Sequence, residues 1–146
     1  MVLDSPMTAA TNAPYTHEIQ LRFSDLDAMG HVNNARYLSY IEDARIGLLR
    51  QIIDTMDEQA PPGLILARSE IDHRRPITLS TEPLEVDVWV AEVGGKSFTL
   101  EYEIRQSGHI AAQARSVMVA FDYATASTRL LTDQERDDLL KWRLVR

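Results

Sequence analysis

The stretch Arg22-Phe-Ser-Asp-Leu-Asp-Ala-Met-Gly-His-Val-Asn-Asn-Ala-Arg-Tyr37 determines how the elements around it are arranged. It overlaps the end of a loosely alternating segment, Thr16 to Phe23, which predicts a first strand, and it continues through a polar turn. Asn33 and Asn34 are both good N-cap residues, and the apolar spacing after them indicates an amphipathic helix. The sequence therefore predicts a strand, a turn and a long helix in direct succession.

Groups suited to carbonyl chemistry fall just before that helix. Asp25 and Asp27 are two residues apart, and Gly30 permits a tight turn with close approach of a ligand. A helix start carries unpaired backbone N–H groups and a partial positive charge, which would polarise a carbonyl placed there. Asp27 beside such a carbonyl is the minimal equipment for acyl transfer without a serine or cysteine nucleophile.

The composition indicates one domain. The chain has 146 residues, 45% of them hydrophobic, and no cysteine, which excludes disulfides, thiolate metal sites and cysteine nucleophiles. Met1 to Pro14 lacks the features of a secretory signal, so we expect a disordered leader over 1–14 and a single domain over 15–146. No apolar run is long enough to cross a bilayer, and we expect a cytoplasmic protein without a membrane partner.

The net charge of −7 disfavours a nucleic-acid partner, so an anionic ligand would need local positive contacts. The only lysines are Lys96 and Lys141, which makes the position of Lys96 informative. Arg74 and Arg75, at the end of a predicted strand, either add charge for the anionic end of a ligand or form a solvated strand end.

Beyond Gly63 the apolar period changes from that of a helix to that of strands. Gly94-Gly95 predicts a hairpin, and Thr132-Asp-Gln-Glu135 is a capping box that predicts a short helix through about Trp142. We expect four strands in an antiparallel meander: Leu64 to Arg74, Leu84 to Val93, a strand containing Phe98 to Ile104, and Ile110 to Tyr123. The predicted class is α+β, with one long helix covering a sheet of about five strands.

Three motifs carry a resemblance to a known family: Arg22-Phe-x-Asp25-x-Asp27-x-x-Gly30-His-Val-Asn-Asn-Ala-Arg-Tyr37, Tyr40-x-Glu-x-Ala-Arg45 and Gly95-Lys-Ser-Phe98. Over about Thr16 to Asp122 the chain resembles hotdog-fold acyl-CoA thioesterases of the 4-hydroxybenzoyl-CoA thioesterase family. The Gly-His-Val-Asn-Asn variant is similar to the branch with bacterial long-chain acyl-CoA thioesterases. The resemblance implies an antiparallel sheet wrapped around a central helix, an acyl-CoA substrate and no cofactor. It also implies dimers with sites at the subunit interface, often paired into homotetramers.

The resemblance also implies site residues. Asp27 takes the catalytic position, the backbone N–H at Asn34 polarises the thioester carbonyl, and Gly30 completes the catalytic turn. In the family, basic residues before the Ser-Phe strand contact the phosphates of coenzyme A; here Lys96 alone remains. We assign substrate contacts to five residues: His31, Asn33, Tyr37, Lys96 and Ser97.

Each assignment has an alternative. If Asp27 is catalytic, it is either a nucleophile that forms a mixed anhydride or a base that activates water. The alternative is a structural role, as a turn aspartate or a helix cap. Asp25 is expected to bond within the turn. His31 could be a base or a metal ligand with both aspartates, but we favour a structural histidine and expect no metal. Glu42 is a second choice for the catalytic carboxylate, and its alternative role is an ion pair with Arg45.

The function predicted from sequence is hydrolysis of an acyl-CoA to a free acid and coenzyme A. The alternatives are a thioesterase for acyl groups held by a carrier protein and a non-catalytic module that binds acyl-CoA.

Overall fold

The computed structural model describes residues 13–53 and 63–145, which form an antiparallel sheet of six strands, one long helix and one short helix. The predicted leader over 1–14 lies outside the described residues except for Ala13 and Pro14, and the connection after the long helix lies outside them over 54–62. The elements are β1 (Tyr15–Ile19), α1 (Asn34–Ile53), β2 (Leu64–His73), β3 (Leu84–Val93), β4 (Ser97–Gln106), β5 (His109–Asp122), β6 (Ser127–Thr128) and α2 (Asp133–Leu140).

The first strand is shorter than the sequence predicts. It ends at Ile19, and Phe23 to Asp25 form a single 3-10 turn in place of further strand. The turn closes because the Arg22 carbonyl accepts a hydrogen bond from the Asp25 N–H at 2.9 Å. The chain therefore turns at Phe23, where the alternating side chains predicted an extended strand.

The expected meander of four strands is wrong, because the strand order is β1-β3-β4-β5-β2. Of the four expected strands, only β3, β4 and β5 follow one another as neighbours, and β2 pairs with β5 at the far edge. The connection from Arg74 to Pro83 is too long for a tight hairpin and carries the buried residue Ile77 across the molecule. This crossing segment, residues 74–83, passes directly beside the start of α1, where the Ile77 carbonyl accepts the Val32 N–H at 2.9 Å.

The predicted apolar stripe of α1 forms the centre of the core. Its five residues are buried and lie with the inner-face residues of β3 and β4 in one cluster: Tyr37, Ile41, Ala44, Leu48 and Ile52 on the helix. Leu38 is 51% exposed, because α1 packs mainly on β1 and β3. Leu38 on the other side of the helix is left largely uncovered by residues 13–53 and 63–145.

The capping box at the start of α2 is confirmed. The Thr132 hydroxyl accepts the Glu135 N–H at 3.0 Å, and the Glu135 carboxylate accepts the Thr132 N–H at 2.8 Å. The same carboxylate binds the Arg129 guanidinium through both oxygens, at 2.6 and 2.9 Å. These contacts hold α2 against the sheet, where Trp142 packs edge-on against Tyr15. Across residues 13–53 and 63–145, neither helix combines the length and apolar character that a bilayer crossing requires.

Gly47 sits inside α1 because the ring of Tyr15 occupies the space of a side chain. A Cβ built at Gly47 would lie 2.6 Å from the Tyr15 hydroxyl oxygen and 2.7 Å from a ring carbon. In a free helix, alanine is favoured over glycine by about 1 kcal/mol. Here we expect Gly47→Ala to lower the free energy of unfolding by roughly 1–2 kcal/mol, because the Tyr15 ring must move. In a Tyr15→Ala background the same change should raise the free energy of unfolding; equal effects in both backgrounds, measured by urea denaturation, would contradict this packing account.

Candidate active site

The loop between β1 and α1 folds back on itself around Asp27. The Asp27 N–H donates to the His31 carbonyl at 2.8 Å, and the Gly30 N–H donates to the Asp27 carbonyl at 3.1 Å. Gly30 has a φ of 79°, a conformation that costs glycine little and other residues more. Below this tip, Leu26 pairs with Val32 across the loop. The loop is therefore a short closed hairpin with Asp27 in its tip.

Asp25 anchors that hairpin from inside the protein. Its carboxylate is 1% exposed and accepts the Arg22 N–H at 3.2 Å and the Tyr40 hydroxyl at 3.0 Å. The guanidinium of Arg22 lies 3.3 Å away and that of Arg36 lies 3.7 Å away. The Asp25 carbonyl also accepts the Asn33 N–H at 2.9 Å. Asp25 thus bonds within the turn, as its sequence position predicts, and ties the loop to the first turns of α1.

The environment of Asp25 favours its ionised form. Burial raises the pKa of its carboxyl, but the hydrogen bonds from Arg22 and Tyr40 and the charge of Arg22 outweigh burial, so the pKa lies below its ordinary value. The same contact raises the pKa of Tyr40, with burial as the larger cause. The tyrosine therefore stays protonated and keeps donating to the carboxylate.

Asp27, unlike Asp25, is exposed. Its Oδ1 accepts the Met29 N–H at 2.9 Å, which is the bonding of a turn aspartate. It does not cap the helix, because the Asn33 side chain does so by accepting the Ala35 N–H at 2.9 Å. Asp27 nonetheless lies in a cleft rather than on an open surface. The hydrogen bond to Met29 fixes the carboxylate and leaves Oδ2 available.

The helix start supplies a donor to the same cleft. The N–H of Ala35 is used by the Asn33 side chain and that of Arg36 by the Asn33 carbonyl, whereas none of the hydrogen bonds among the described residues uses the N–H of Asn34. Such a group at the first helical position carries part of the positive end of the helix dipole. A carboxylate and an unused amide donor therefore flank one cavity.

The cleft measures about 350 Å³ and has two walls from distant parts of the chain. The loop and helix start form one wall, with Asp27, Met29, His31, Val32, Asn34 and Tyr37. The end of β2 and the start of the crossing segment form the other, with His73, Arg74, Arg75 and Pro76. The rings of Tyr37 and His73 meet between the walls, with centroids 4.6 Å apart. Burial raises the pKa of Tyr37, so its hydroxyl remains neutral.

The structure brings together most of the predicted site. Asp27, Asn34, His31 and Tyr37 line the cleft, and Gly30 and Asn33 shape the loop and the helix cap behind it. His31 also pairs through its backbone with Thr78 of the crossing segment. Among the described residues, no group of three or more metal-ligating side chains could hold an ion. Glu42 is exposed and lies 4.0 Å from Arg45, the pairing that its spacing suggests.

Lys96 and Ser97 are not part of this cleft in the single chain. They lie at the β3–β4 turn. His31 instead pairs with Thr78, which is hydrogen-bonded to Gln106 at the opposite end of β4. The ten residues of β4 separate the two places by about 30 Å. Lys96 and Ser97 can reach an Asp27 cleft only as parts of a second chain.

Sequence reasoning missed His73 as a wall residue and left Arg74 and Arg75 undecided. Their place follows from the crossing of residues 74–83, which the expected meander did not include. The available signal was the length of this connection together with Pro76 and Pro83, which is atypical of a hairpin.

Comparison with known proteins identifies the family of the chain. A family model described as the Thioesterase-like superfamily matches residues 21–142. The chain is 30% identical over 126 residues to the long-chain acyl-CoA thioesterase FadM of Escherichia coli (strain K12), which covers 84% of this chain and 94% of that protein.

Two solved structures share the fold. One is a thioesterase from Thermus thermophilus complexed with coenzyme A and zinc, with a TM-score of 0.78, 30% identity, and coverage of 92% of this chain and 99% of that one. The other is a predicted thioesterase from Bacillus stearothermophilus, with a TM-score of 0.81, 25% identity and coverage of 90% and 98%. The expected hotdog fold is confirmed.

The anchoring role of Asp25 predicts a change in acid stability. The stabilisation by its lowered pKa is fully present above the unfolded pKa of about 4 and is lost as the pH falls through the folded pKa. We expect Asp25→Asn to lower the free energy of unfolding by about 1–3 kcal/mol at pH 7. The gap to wild type should narrow toward pH 3. Urea denaturation across pH 3–7 measures the free energy of unfolding of both proteins, and Asp43→Asn, at an exposed position on α1, is the control. A difference between wild type and Asp25→Asn that does not change with pH would contradict the anchoring role of Asp25.

Proposed function

As a member of the thioesterase-like superfamily this chain is a thioester hydrolase, and we propose that it cleaves an acyl-CoA to a free acid and coenzyme A. The observation that carries the proposal is the presence of the Asp27 carboxylate and the unused Asn34 N–H in one cleft at the start of α1. A thioester carbonyl held between them faces a nucleophile or base on one side and a hydrogen-bond donor on the other.

The carboxylate can act in two ways. As a nucleophile, an Asp27 oxygen attacks the thioester carbon, the C–S bond breaks, coenzyme A leaves as a thiolate that takes up a proton, and water hydrolyses the mixed anhydride. As a base, Asp27 removes a proton from water as the water attacks, and the proton is then delivered to the departing thiolate. Both routes regenerate the carboxylate and give the same products.

The Asn34 N–H would stabilise the oxyanion that either route creates. The donor belongs to the backbone, so its position is set by the helix cap of Asn33 and costs no reorganisation during the reaction. The helix dipole adds positive potential at the same point. The walls formed by Val32, Tyr37 and Pro76 reduce contact with water and strengthen both effects.

The finer assignments belong to the same proposal. The Gly30-His-Val-Asn-Asn34 variant and the 30% identity to a long-chain acyl-CoA thioesterase favour the long-chain branch of the family. The catalytic unit would be residues 15–146, working in the cytoplasm as a homo-oligomer. A dimer or tetramer would allow Lys96 and Ser97 of one chain to contact the substrate of another.

A panel of acyl-CoA esters tests the function against its alternatives. Release of free thiol from short, long and aromatic acyl-CoA esters, followed with a chromogenic thiol reagent, supports the proposal. Binding without thiol release identifies an acyl-CoA binding module instead. Release only from acyl groups on a carrier protein identifies the carrier-protein thioesterase.

Asp27→Asn should remove the reacting group while leaving the cleft intact. We expect kcat to fall at least about 100-fold with little change in substrate affinity, because the carboxylate acts in the transition state. Asp122→Asn is a matched control, since the Asp122 carboxylate accepts the Ala124 N–H at 2.9 Å in the same turn geometry outside the cleft. Near-normal turnover by Asp27→Asn would refute the role of Asp27.

Asn34 allows the backbone donor to be removed without breaking the helix. Proline is well tolerated at the first helical position, so Asn34→Pro deletes the N–H and Asn34→Ala retains it. We expect kcat to fall by about 100- to 1,000-fold for Asn34→Pro and by only a few-fold for Asn34→Ala. Equal kcat values for the two variants, with matching circular dichroism, would exclude this N–H from catalysis.

A further inference from the structure

The cleft carries a charge opposite to that of the chain. The protein has a net charge of −7, yet the lining of the cleft includes two arginines, Arg74 and Arg75, against a single carboxylate, Asp27. Two histidines, His31 and His73, also line the cleft. A cationic site in an acidic surface attracts and orients an anionic ligand locally.

The two arginines are held in place through their backbone. The N–H groups of Arg74 and Arg75 both donate to the Ala111 carbonyl, at 2.8 and 3.0 Å. Pro76 follows with its fixed φ, and the buried Ile77 then binds Val32. The arginines are therefore presented from a fixed strand end rather than from a free loop.

The guanidinium groups of Arg74 and Arg75 differ in their hydrogen bonding. The Arg74 Nε donates to the Gln113 side chain at 3.2 Å. Arg75 is exposed, and no described residue forms a hydrogen bond or ion pair with its guanidinium. Arg68, in the middle of β2, is paired with Glu70. Arg75 thus offers a complete fork of donors at the rim of the cleft, which is the geometry that phosphate oxygens accept.

We propose that Arg75, assisted by Arg74, binds the phosphate groups at the coenzyme A end of the substrate. This inference rests on the proposed function, because it takes the thioester to lie between Asp27 and Asn34. From that point, the acyl part is favoured toward the apolar wall at Val32 and Tyr37, and the charged part toward the rim. The pantetheine arm is long and flexible, and the exposed Arg75 side chain can reach outward to meet the phosphates that follow it.

A pair of substrates that differ only in their phosphates tests the proposal. For an acyl-CoA, Arg75→Ala should raise KM roughly tenfold and change kcat by no more than about threefold. The reason is that the lost charge-assisted contact is made equally with the bound substrate and with the transition state. For the same acyl group on pantetheine, which has no phosphate, KM should be equal for wild type and variant. Arg75→Lys should recover part of the affinity. Arg68→Ala removes the same charge from the middle of β2, outside the cleft, and should leave KM unchanged for both substrates.

The outcomes separate this inference from the proposed function. Turnover of both substrates with an equal effect of Arg75→Ala on each would overturn the phosphate contact and leave the hydrolase intact. If wild type cleaves no thioester, the proposed function fails, and calorimetric titration with coenzyme A alone decides the contact. If Arg75→Ala binds coenzyme A more weakly than Arg68→Ala does, the phosphate contact is supported. Equal affinities of the two variants for coenzyme A overturn it.

Discussion

The burial of the Asp25 carboxylate is the constraint on which the site depends. A charged group that is 1% exposed is tolerated only when it is paired and hydrogen-bonded, so its donors must stay in place. Those donors are Arg22 in the loop and Tyr40 on the helix, and Arg36 on the helix adds an ion pair. One buried charge thereby fastens the loop to the helix, and Asp27, two residues along, is carried to the cleft. The position of the exposed Asp27 therefore depends on the burial of Asp25.

The cleft arises because a second part of the chain passes the helix start. Residues 74–83 leave β2 at one edge of the sheet and must reach β3 near the other, so they cross beside α1. The hydrogen bond from Val32 to Ile77 and the pairing of His31 with Thr78 join this segment to the loop. The same crossing brings His73, Arg74 and Arg75 opposite Asp27. The strand order therefore determines which residues form the second wall of the cleft.

Local signals in the sequence were sufficient for much of this arrangement. The α1 start, the bounds of β3 and the α2 capping box follow from cap residues and apolar periods, which depend on near neighbours. The loop residues of the site were predictable because they are contiguous. The place of β2 and the second wall were not, since strand pairing depends on contacts between distant residues. The burial of Asp25 was also hidden, because its compensating donor Tyr40 lies 15 positions away.

The net charge of this chain does not describe the local charge at the cleft, because charge acts over short distances. At physiological ionic strength, exposed charges are screened beyond about 8 Å, so carboxylates elsewhere on the surface have little influence on the rim of the cleft. Arg74 and Arg75 line the cleft against the single carboxylate of Asp27, although the whole chain has a net charge of −7. An acidic chain can thus bind an anionic substrate, provided that cationic residues are set beside the reacting group. Here the fold does so by ending β2 at the helix start, which places cationic side chains and the helix dipole on two walls of the same cleft.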